Sequence, residues 1–181
     1  MLVLGLDPSS TGTGYGLVRK QGRKLLYEDC GCFRPRRGVS FAERLQIMYD
    51  GLVALLESQR PDAVALESSF FCRDPDAAAK LGETRGVLRL ALVQSGFDIA
   101  LYSPAQVKKA VAGNGQATKE AVQDMVGRLL KMAELPRSLD ASDALAVAIC
   151  HLHRGAASKA SAGKDRRRPE VEALLRRVAH R

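Results

Sequence analysis

Two carboxylates in the first half of the chain each close a short apolar run. Asp7 ends the run 1–7, and Glu67 directly follows the run 63–66. Continuous apolar runs of this length are typical of strands that are buried on both faces of a sheet. Functional groups collect at the carboxyl ends of neighbouring parallel strands. We therefore expect Asp7 and Glu67 to lie side by side at one edge of a sheet.

Two further carboxylates, Asp140 and Asp143, are three residues apart in a segment with helical spacing. Residues three and four apart share one face of a helix, and Ala144 and Val147 continue the face of Asp140. This apolar continuation predicts that the face packs on the sheet. Any one of the four acids is equally well explained as a loop cap, a residue of a helix N-terminus or a solvated side chain. Together they indicate one shared site where helix meets sheet.

Four carboxylates at one place would repel one another, and burial would raise their pKa values, unless a cation binds among them. Carboxylate oxygens suit Mg²⁺ and Mn²⁺. Two such ions about 3.5 to 4 Å apart can activate a water molecule and stabilise the leaving oxygen of a phosphodiester. The sequence therefore predicts metal-dependent phosphodiester hydrolysis. The predicted metal ligands and catalytic groups are the same four residues, Asp7, Glu67, Asp140 and Asp143.

The remaining pattern predicts the elements that position these acids. An antiparallel meander of three strands precedes βαβ crossovers and a final run of helices, so we predict an α/β fold with a five-stranded mixed sheet and helices on both faces. Pro8 and the cluster of Gly12, Gly14 and Gly16 are interpreted as a turn after the first strand. The predicted strands are 1–7, 15–19, 25–33, 63–66 and 98–102, and the predicted helices are 40–58, 75–94, a segment opened by Ser103-Pro104, 118–132 and 139–154.

Length and charge bound the class of protein. The 181 residues, 46% of them hydrophobic, match one folded domain, and the net charge of +8 predicts a polyanionic partner, nucleic acid before an anionic membrane. Residues 155–181 hold eight Lys and Arg against three acidic residues, a net +5, which leaves +3 on the first 154. We predict a catalytic domain over 1–154. A basic tail over 155–181 follows, as a flexible linker and a short amphipathic helix.

Membrane segments and metal-binding cysteine motifs are not indicated by the sequence. No apolar stretch reaches the roughly 18 residues that span a bilayer, and the first residues lack the features of a signal peptide, so we expect a cytoplasmic protein that does not enter a membrane. The cysteines lack the usual C-x₂-C spacing of zinc sites and are too irregular for a disulfide framework. We interpret all four as core thiols: Cys30, Cys32, Cys72 and Cys150.

Several short motifs, in order and with consistent spacing from residue 2 to about residue 154, resemble those of the RuvC-type Holliday junction resolvases, which have the RNase H-like fold. The motifs are Gly5-Leu6-Asp7-Pro8 with Ser10, Gly14-Tyr15-Gly16, Ala65-Leu66-Glu67 with Phe70, Lys80-Leu81-Gly82 with Arg85-Gly86, Val107-Lys108, Gly113 with Gly115, and Asp140-Ala141 with Asp143-Ala144-Leu145-Ala146. Ser9 departs from the pattern, because many members have glycine there.

The resemblance implies a homodimeric, Mg²⁺-dependent endonuclease, with Mn²⁺ able to substitute and two ions in each active site. Such an enzyme nicks two opposed strands of a four-way DNA junction symmetrically, in recombination and DNA repair. Branch-migration partners of the RuvA and RuvB kind are also implied. The four acids match the metal-binding residues of the family. Lys108 and Lys119 match its basic residues near the scissile bond, and Phe70 matches an aromatic that stacks on a base.

The predicted DNA contacts extend beyond these matches, and each has an ordinary alternative. Phe71 follows Phe70, and the sequence leaves open which ring stacks and which fills the core. Arg85 either contacts phosphate or pairs with an acid of the protein, and the lysines are equally well explained as solvated surface groups. The complete predicted set is Phe70, Phe71, Arg73, Arg85, Lys108, Lys109 and Lys119.

Three other functions fit parts of the pattern. Asp7 with its Ser/Thr/Gly-rich turn resembles a phosphate-binding element of the actin and sugar-kinase class, but such proteins duplicate the unit and this chain is long enough for only one. A nucleic-acid-binding protein without catalysis would account for the charge alone. An RNase H-like enzyme that cuts RNA in hybrids would retain the fold with a different substrate.

Overall fold

The structure, a computed structural model, describes residues 1–68, 74–136 and 138–154. These residues form five strands and five helices. The strands are β1 (Leu2–Pro8), β2 (Thr13–Gln21), β3 (Lys24–Phe33), β4 (Ala63–Glu67) and β5 (Ile99–Tyr102). The helices are α1 (Phe41–Gln59), α2 (Pro75–Gln94), α3 (Pro104–Ala112), α4 (Lys119–Leu130) and α5 (Leu139–Arg154). No helix in these ranges is long and apolar enough to cross a membrane.

The five strands form one mixed sheet in the order β3-β2-β1-β4-β5. β1 pairs with β2 and β2 with β3 in antiparallel fashion, whereas β4 runs parallel to both β1 and β5. The α/β class, the initial meander and the mixed sheet predicted from the sequence are confirmed. The parallel pair β1–β4 lies in the middle of the sheet, where both of its faces are covered.

Alternate side chains of β1 enter two separate cores, one on each face of the sheet. Val3 packs with α3, α4 and α5, whereas Leu4 and Leu6 pack with α1 and α2. Because strand side chains alternate with a period of two, one continuous apolar run supplies both cores. The prediction of helices on both faces is therefore confirmed.

Local signals at the helix ends set most boundaries as predicted. Ser40 and Ser103 each form a capping box at the start of a helix, and Pro104 occupies the first turn of α3. α4 ends at Leu130, earlier than predicted, because Lys131 adopts a left-handed conformation with φ of 51°.

Two predictions about small residues were wrong. β2 begins at Thr13, so Gly14 and Gly16 lie within a strand and only Gly12 belongs to the preceding turn. Of the described cysteines only Cys150 is fully buried, whereas Cys30 and Cys32 are half-buried on the edge strand β3. Edge strands are covered on fewer sides, which explains why Cys30, which packs against the edge of the core, and Cys32 are not fully buried. Cys72 lies outside the described residues.

Candidate active site

The two strand-end acids are neighbours, as predicted. The parallel register pairs Leu6 with Leu66, which places Asp7 and Glu67 together at the carboxyl ends of β1 and β4. Both side chains are partly buried. The Ser68 amide donates a hydrogen bond to the Tyr102 carbonyl at 2.8 Å, so the backbone stays paired to β5 beyond Glu67. Glu67 therefore extends from a fixed strand end.

Glycines on the sheet bring the helix α5 close to Asp7. Gly14 is the register partner of Asp7 on β2, and a Cβ atom there would overlap the backbone carbonyl of Asp140. A Cβ at Gly5 would overlap the carbonyl of Ala144, and one at Gly16 would lie 2.6 Å from the Leu145 nitrogen. The α5 backbone thus lies directly on the backbone of β1 and β2.

We call these three residues, Gly5, Gly14 and Gly16, the glycine seam. Ala144 and Val147 are fully buried on the sheet side of α5, which confirms that the helix packs through the face predicted from the sequence. As a result, Asp140 and Asp143 in the first turns of α5 lie close enough to Asp7 to perturb its charge.

The pKa of Asp7 is raised to about 8, first by burial and then by the negative charges of Glu67, Asp143 and Asp140, in that order. The positive charge of Lys119 acts in the opposite direction. Burial also raises the pKa of Asp143, against the opposing charges of Lys119 and Lys108. In the absence of a bound cation, the protein therefore holds Asp7 as a neutral acid at pH 7.

Three cationic side chains from separate parts of the chain face the other acids. Arg34 Nη2 donates to Asp140 Oδ2 at 2.7 Å, and Lys119 Nζ donates to Asp143 Oδ2 at 3.3 Å. Arg85 on α2 is only 9% exposed; burial and Arg89 lower its pKa, and the charge of Glu67 acts in the opposite direction. The negative charges are thus balanced partly by protonation and partly by cations: Arg34 directly after β3, Lys119 on α4 and Arg85 on α2.

The carboxylates match the donor chemistry of a hard divalent cation, although their oxygens are not arranged around one. Within the described ranges, no group of three or more His, Cys, Asp or Glu side chains forms a ready-made metal site. The ion pairs give a physical reason, because Arg34 and Lys119 occupy oxygens of Asp140 and Asp143. Carboxylate oxygens are the donors that these ions take in proteins, so the chemistry of the four residues fits a bound Mg²⁺ or Mn²⁺.

The structure separates the predicted DNA-contact residues into groups. Lys108 and Lys119 flank Asp143 and so lie at the acid cluster. Lys109 is exposed and lines a surface cavity of about 450 Å³ with His153 and Arg154, at the opposite end of α5. Arg85 is buried beside the charge of Glu67, which favours the alternative of pairing with an acid. Phe70, Phe71 and Arg73 lie outside the described residues.

Sequence reasoning missed two contributors to the site. One is Arg34, which immediately follows β3 and reaches Asp140 across 106 residues of sequence. A basic residue directly after a strand of the meander was the available signal, but the edge at which that strand ends depends on the hairpin register. The other is the glycine seam: the sequence places Gly5 in a strand, but it assigns Gly14 and Gly16 to a turn and does not predict that α5 lies on all three glycines. Cys32 also approaches Asp140, at 3.9 Å between Sγ and Oδ2.

Residues 3–151 match the family model described as crossover junction endodeoxyribonuclease RuvC. A protein of that name from Pelotomaculum thermopropionicum is 46% identical over 153 residues, which are 84% of this chain and 93% of the relative. The chain belongs to the RuvC family. The family predicted from the short motifs is confirmed, and with it the prediction of a crossover junction endodeoxyribonuclease over the non-catalytic alternative.

Solved structures of RuvC proteins have the same fold. The structure of Thermus thermophilus RuvC in complex with a Holliday junction substrate is 35% identical and has a TM-score of 0.80, covering 86% of this chain and 94% of that one. A yeast mitochondrial Holliday junction resolvase is 13% identical with a TM-score of 0.63, covering 85% of this chain and 78% of that one. The second likeness concerns the fold alone. The predicted RNase H-like architecture is confirmed by these neighbours.

Proposed function

We propose that this chain hydrolyses two opposed strands of a four-way DNA junction at the acid cluster Asp7, Glu67, Asp140 and Asp143. The observation that carries the proposal is the convergence of these acids, where β1, β4 and α5 meet, in a chain of the RuvC family. The net charge of +8 supports a nucleic-acid substrate, and the solved RuvC–junction complex supports four-way DNA over RNA hybrids.

Mg²⁺ is the proposed cofactor, with Mn²⁺ as a substitute and two ions in each site. When bound, the ions would supply a nucleophilic water at neutral pH and neutralise charge on the leaving oxygen. The raised pKa of Asp7 supports this proposal, because a buried acid among three others is stabilised as an anion by a bound cation. Glu67, Asp140 and Asp143 supply the remaining carboxylate ligands, each from a fixed backbone position.

The basic residues at the cluster hold the substrate. Lys119 and Lys108 flank Asp143, and Lys119 is largely exposed, so both ammonium groups can reach a phosphate that enters the site. We extend this DNA-binding role to Phe70, Phe71 and Arg73, which follow β4 shortly after Glu67. In this proposal one of the two rings stacks on an unpaired base at the junction centre, an interaction of about 1 to 3 kcal/mol.

Arg85 and Lys109 have different proposed roles. Arg85 is proposed to act through Glu67, because its side chain is 9% exposed and the charge of Glu67 acts on it. Lys109 on α3 lies near the C-terminal end of α5, away from the acid cluster. It is proposed to contact a phosphate of a DNA arm at a distance from the cleavage site. The basic tail over 155–181 makes further contacts of the same kind, without sequence preference.

A homodimer is the proposed assembly, since two nicks need two sites. The outer face of α2 supports it: Gly82 and Gly86 have open space around them, while Leu90 is 53% and Val93 63% exposed. Single exposed apolar residues are common, but here they align with small residues along one face. RuvA- and RuvB-type proteins are proposed partners in branch migration.

The proposed dimer is tested by analytical ultracentrifugation of the double variant Leu90→Glu/Val93→Glu, which should sediment as a folded monomer. A variant that remains dimeric would show that α2 is not part of the dimer interface.

The proposed activity is tested with an end-labelled four-way junction and a matched linear duplex on a denaturing gel. Reactions contain Mg²⁺, Mn²⁺ or a chelator. Paired symmetric nicks, confined to the junction and absent with chelator, are expected for the wild type. The Asp7→Asn variant should bind the junction but lose cleavage by about a thousandfold or more.

The matched control for this test is Asp124→Asn, which removes an exposed acid that pairs with Arg128 on the surface of α4. It should cleave like the wild type. Equal cleavage of the linear duplex would contradict junction selectivity. Full activity in chelator, or in Asp7→Asn, would contradict the assigned site.

A further inference from the structure

Arg34 is held at the active site by the strand that precedes it. Phe33, the last residue of β3, pairs with Thr13 on β2, and its ring stacks on Tyr15 with 5.0 Å between centroids. This anchoring fixes the point at which the chain leaves the sheet, so that Arg34 begins beside the carboxyl end of β1. Its guanidinium reaches Asp140 at 2.7 Å.

The guanidinium of Arg34 is open to solvent although it is paired. The Arg34 side chain is 61% exposed, compared with 30% for Asp140. A guanidinium has five N–H donors in a planar fork, and the described contact with Asp140 uses one oxygen. The exposed part of the fork can therefore bind a phosphate, for which its geometry is suited to two parallel hydrogen bonds.

Two cations would bind the same carboxylate of Asp140, the Arg34 guanidinium and the proposed metal ion. Asp140 is one of the proposed metal ligands, and its Oδ2 atom accepts the hydrogen bond from Arg34. A carboxylate oxygen that binds a divalent cation loses most of its attraction for a nearby guanidinium, because the cation and the guanidinium repel each other. Arg34 and the metal therefore compete for Asp140, and the displaced guanidinium remains within reach of the site.

We propose that Arg34 pairs with Asp140 in the metal-free protein and moves to a DNA phosphate beside the scissile bond once Asp140 becomes a metal ligand. This inference rests on the proposed function. It makes Arg34 a substrate-binding residue that couples metal binding to DNA binding. By linkage, DNA that takes up Arg34 strengthens metal binding as much as metal strengthens DNA binding through Arg34.

The first test measures binding of Mn²⁺ alone by calorimetry, without DNA. Wild type is compared with Arg34→Ala, which removes the competitor, and with Arg37→Ala, which removes an equal charge from an exposed position in the same loop. Arg34→Ala should bind Mn²⁺ about fivefold more tightly than the wild type, the range expected for a half-exposed ion pair. Arg37→Ala should leave the affinity nearly unchanged. Equal tightening in both variants, or none in Arg34→Ala, would overturn the competition.

The second test measures junction binding by fluorescence anisotropy in EDTA and in Ca²⁺, with Arg34→Lys as an additional variant. Arg34→Ala should weaken binding more in Ca²⁺ than in EDTA, because only then is the wild-type guanidinium free of Asp140. Arg34→Lys keeps the charge and loses the fork, so it should retain wild-type Mn²⁺ affinity and show part of the loss in DNA binding. An identical loss for Arg34→Ala in both buffers would overturn the transfer of Arg34 to DNA.

The two proposals can fail separately. If the wild type does not cut junctions, the proposed function fails, while the Mn²⁺ isotherms still decide whether Arg34 competes for Asp140. If the wild type cuts junctions but the variants bind Mn²⁺ alike, the function stands and the role of Arg34 does not. Thermal unfolding of each variant accompanies both tests, and an exposed arginine should change it little.

Discussion

The two faces of the sheet are built in different ways. On one face, α1 and α2 pack against leucines of the strands, with fully buried side chains such as Leu4, Leu52 and Leu88 between the layers. On the other face, α5 rests on the glycine seam with backbone against backbone. The leucine face follows ordinary core packing. The seam face also has a hydrophobic core, but at the seam itself the backbones touch, and this contact brings the acids of α5 close to those of the strands.

The largest expected effect on folding comes from filling the seam. Gly14→Val would place a branched side chain where the Asp140 carbonyl lies, and a backbone cannot yield as a side-chain tip does. We expect a loss of more than about 4 kcal/mol in the free energy of unfolding, and no cleavage from any protein that still folds. Chemical denaturation measures the free energy of unfolding, and the junction gel measures cleavage. Normal stability with normal cleavage would show that α5 is free to shift.

A cavity on the leucine face should lower stability without affecting chemistry. Leu52 is fully buried between α1 and the sheet, so Leu52→Ala should cost about 3 to 4 kcal/mol. Because the acids are positioned from the other face, the cleavage rate well below the melting temperature should equal that of the wild type. A large loss of rate in the folded variant would mean that the two faces are mechanically coupled.

The pH dependence of the free energy of unfolding should show how much the burial of Asp7 destabilises the folded protein. The pKa of Asp7 is about 8 in the folded protein and near 3.8 when unfolded. Between these values the folded state keeps a proton that the unfolded state has lost, so this group lowers stability as pH rises from about 4 to 8. Asp7→Asn should therefore be more stable than the wild type, by about 3 kcal/mol at pH 6.

Metal-free thermal melts of wild type and Asp7→Asn between pH 4 and pH 8 check this expectation. The difference between the two proteins should be small at pH 4 and grow with pH. Glu67→Gln, at the neighbouring strand end, tests whether the effect is shared across the cluster. A difference that stays constant with pH would show that Asp7 is ionised in the folded protein.

The smallest expected effect lies at a helix end on the leucine face. Ser40 Oγ accepts a hydrogen bond from the Glu43 amide at 3.2 Å, and the Ser40 amide donates one to the Glu43 carboxylate at 2.8 Å. Ser40→Ala should cost about 1 kcal/mol and leave cleavage unchanged. Ser40→Asp, which retains a capping oxygen, should restore most of the loss in the same denaturation assay. A cost near zero would mean that water replaces the cap.

The sequence predicts the strand-end acids well because their positions follow from local patterns. An apolar run that ends in Asp7 or Glu67 indicates a buried strand and its carboxyl edge, and residues three apart on α5 must share a face. The assignment of Gly14 and Gly16 of the seam to a turn is wrong, because a glycine has the same sequence signature in a turn and in a strand beneath a helix. Only the register of Asp7 with Gly14 separates the two cases.

The sequence does not place Arg34 at the acid cluster for a related reason. Its contact with Asp140 depends on the length of the β2–β3 hairpin, on the register shift between Leu17 and Val18, and on the path of α5. Each of these is a tertiary feature with no signature in neighbouring residues. Arg85 shows the converse case, since helical spacing places it on α2 but does not say whether its face is buried.

The seam joins residues 5–16 to residues 140–148, so the contacts that complete the proposed active site connect the first strands to the last described helix. Such long-range contacts form late in folding, after the local hairpin and helices. A chain emerging from the ribosome has β1 and β4 long before α5, and in that interval Asp7 and Glu67 lack their partners. The nascent protein should thus be unable to cut DNA until synthesis has passed α5.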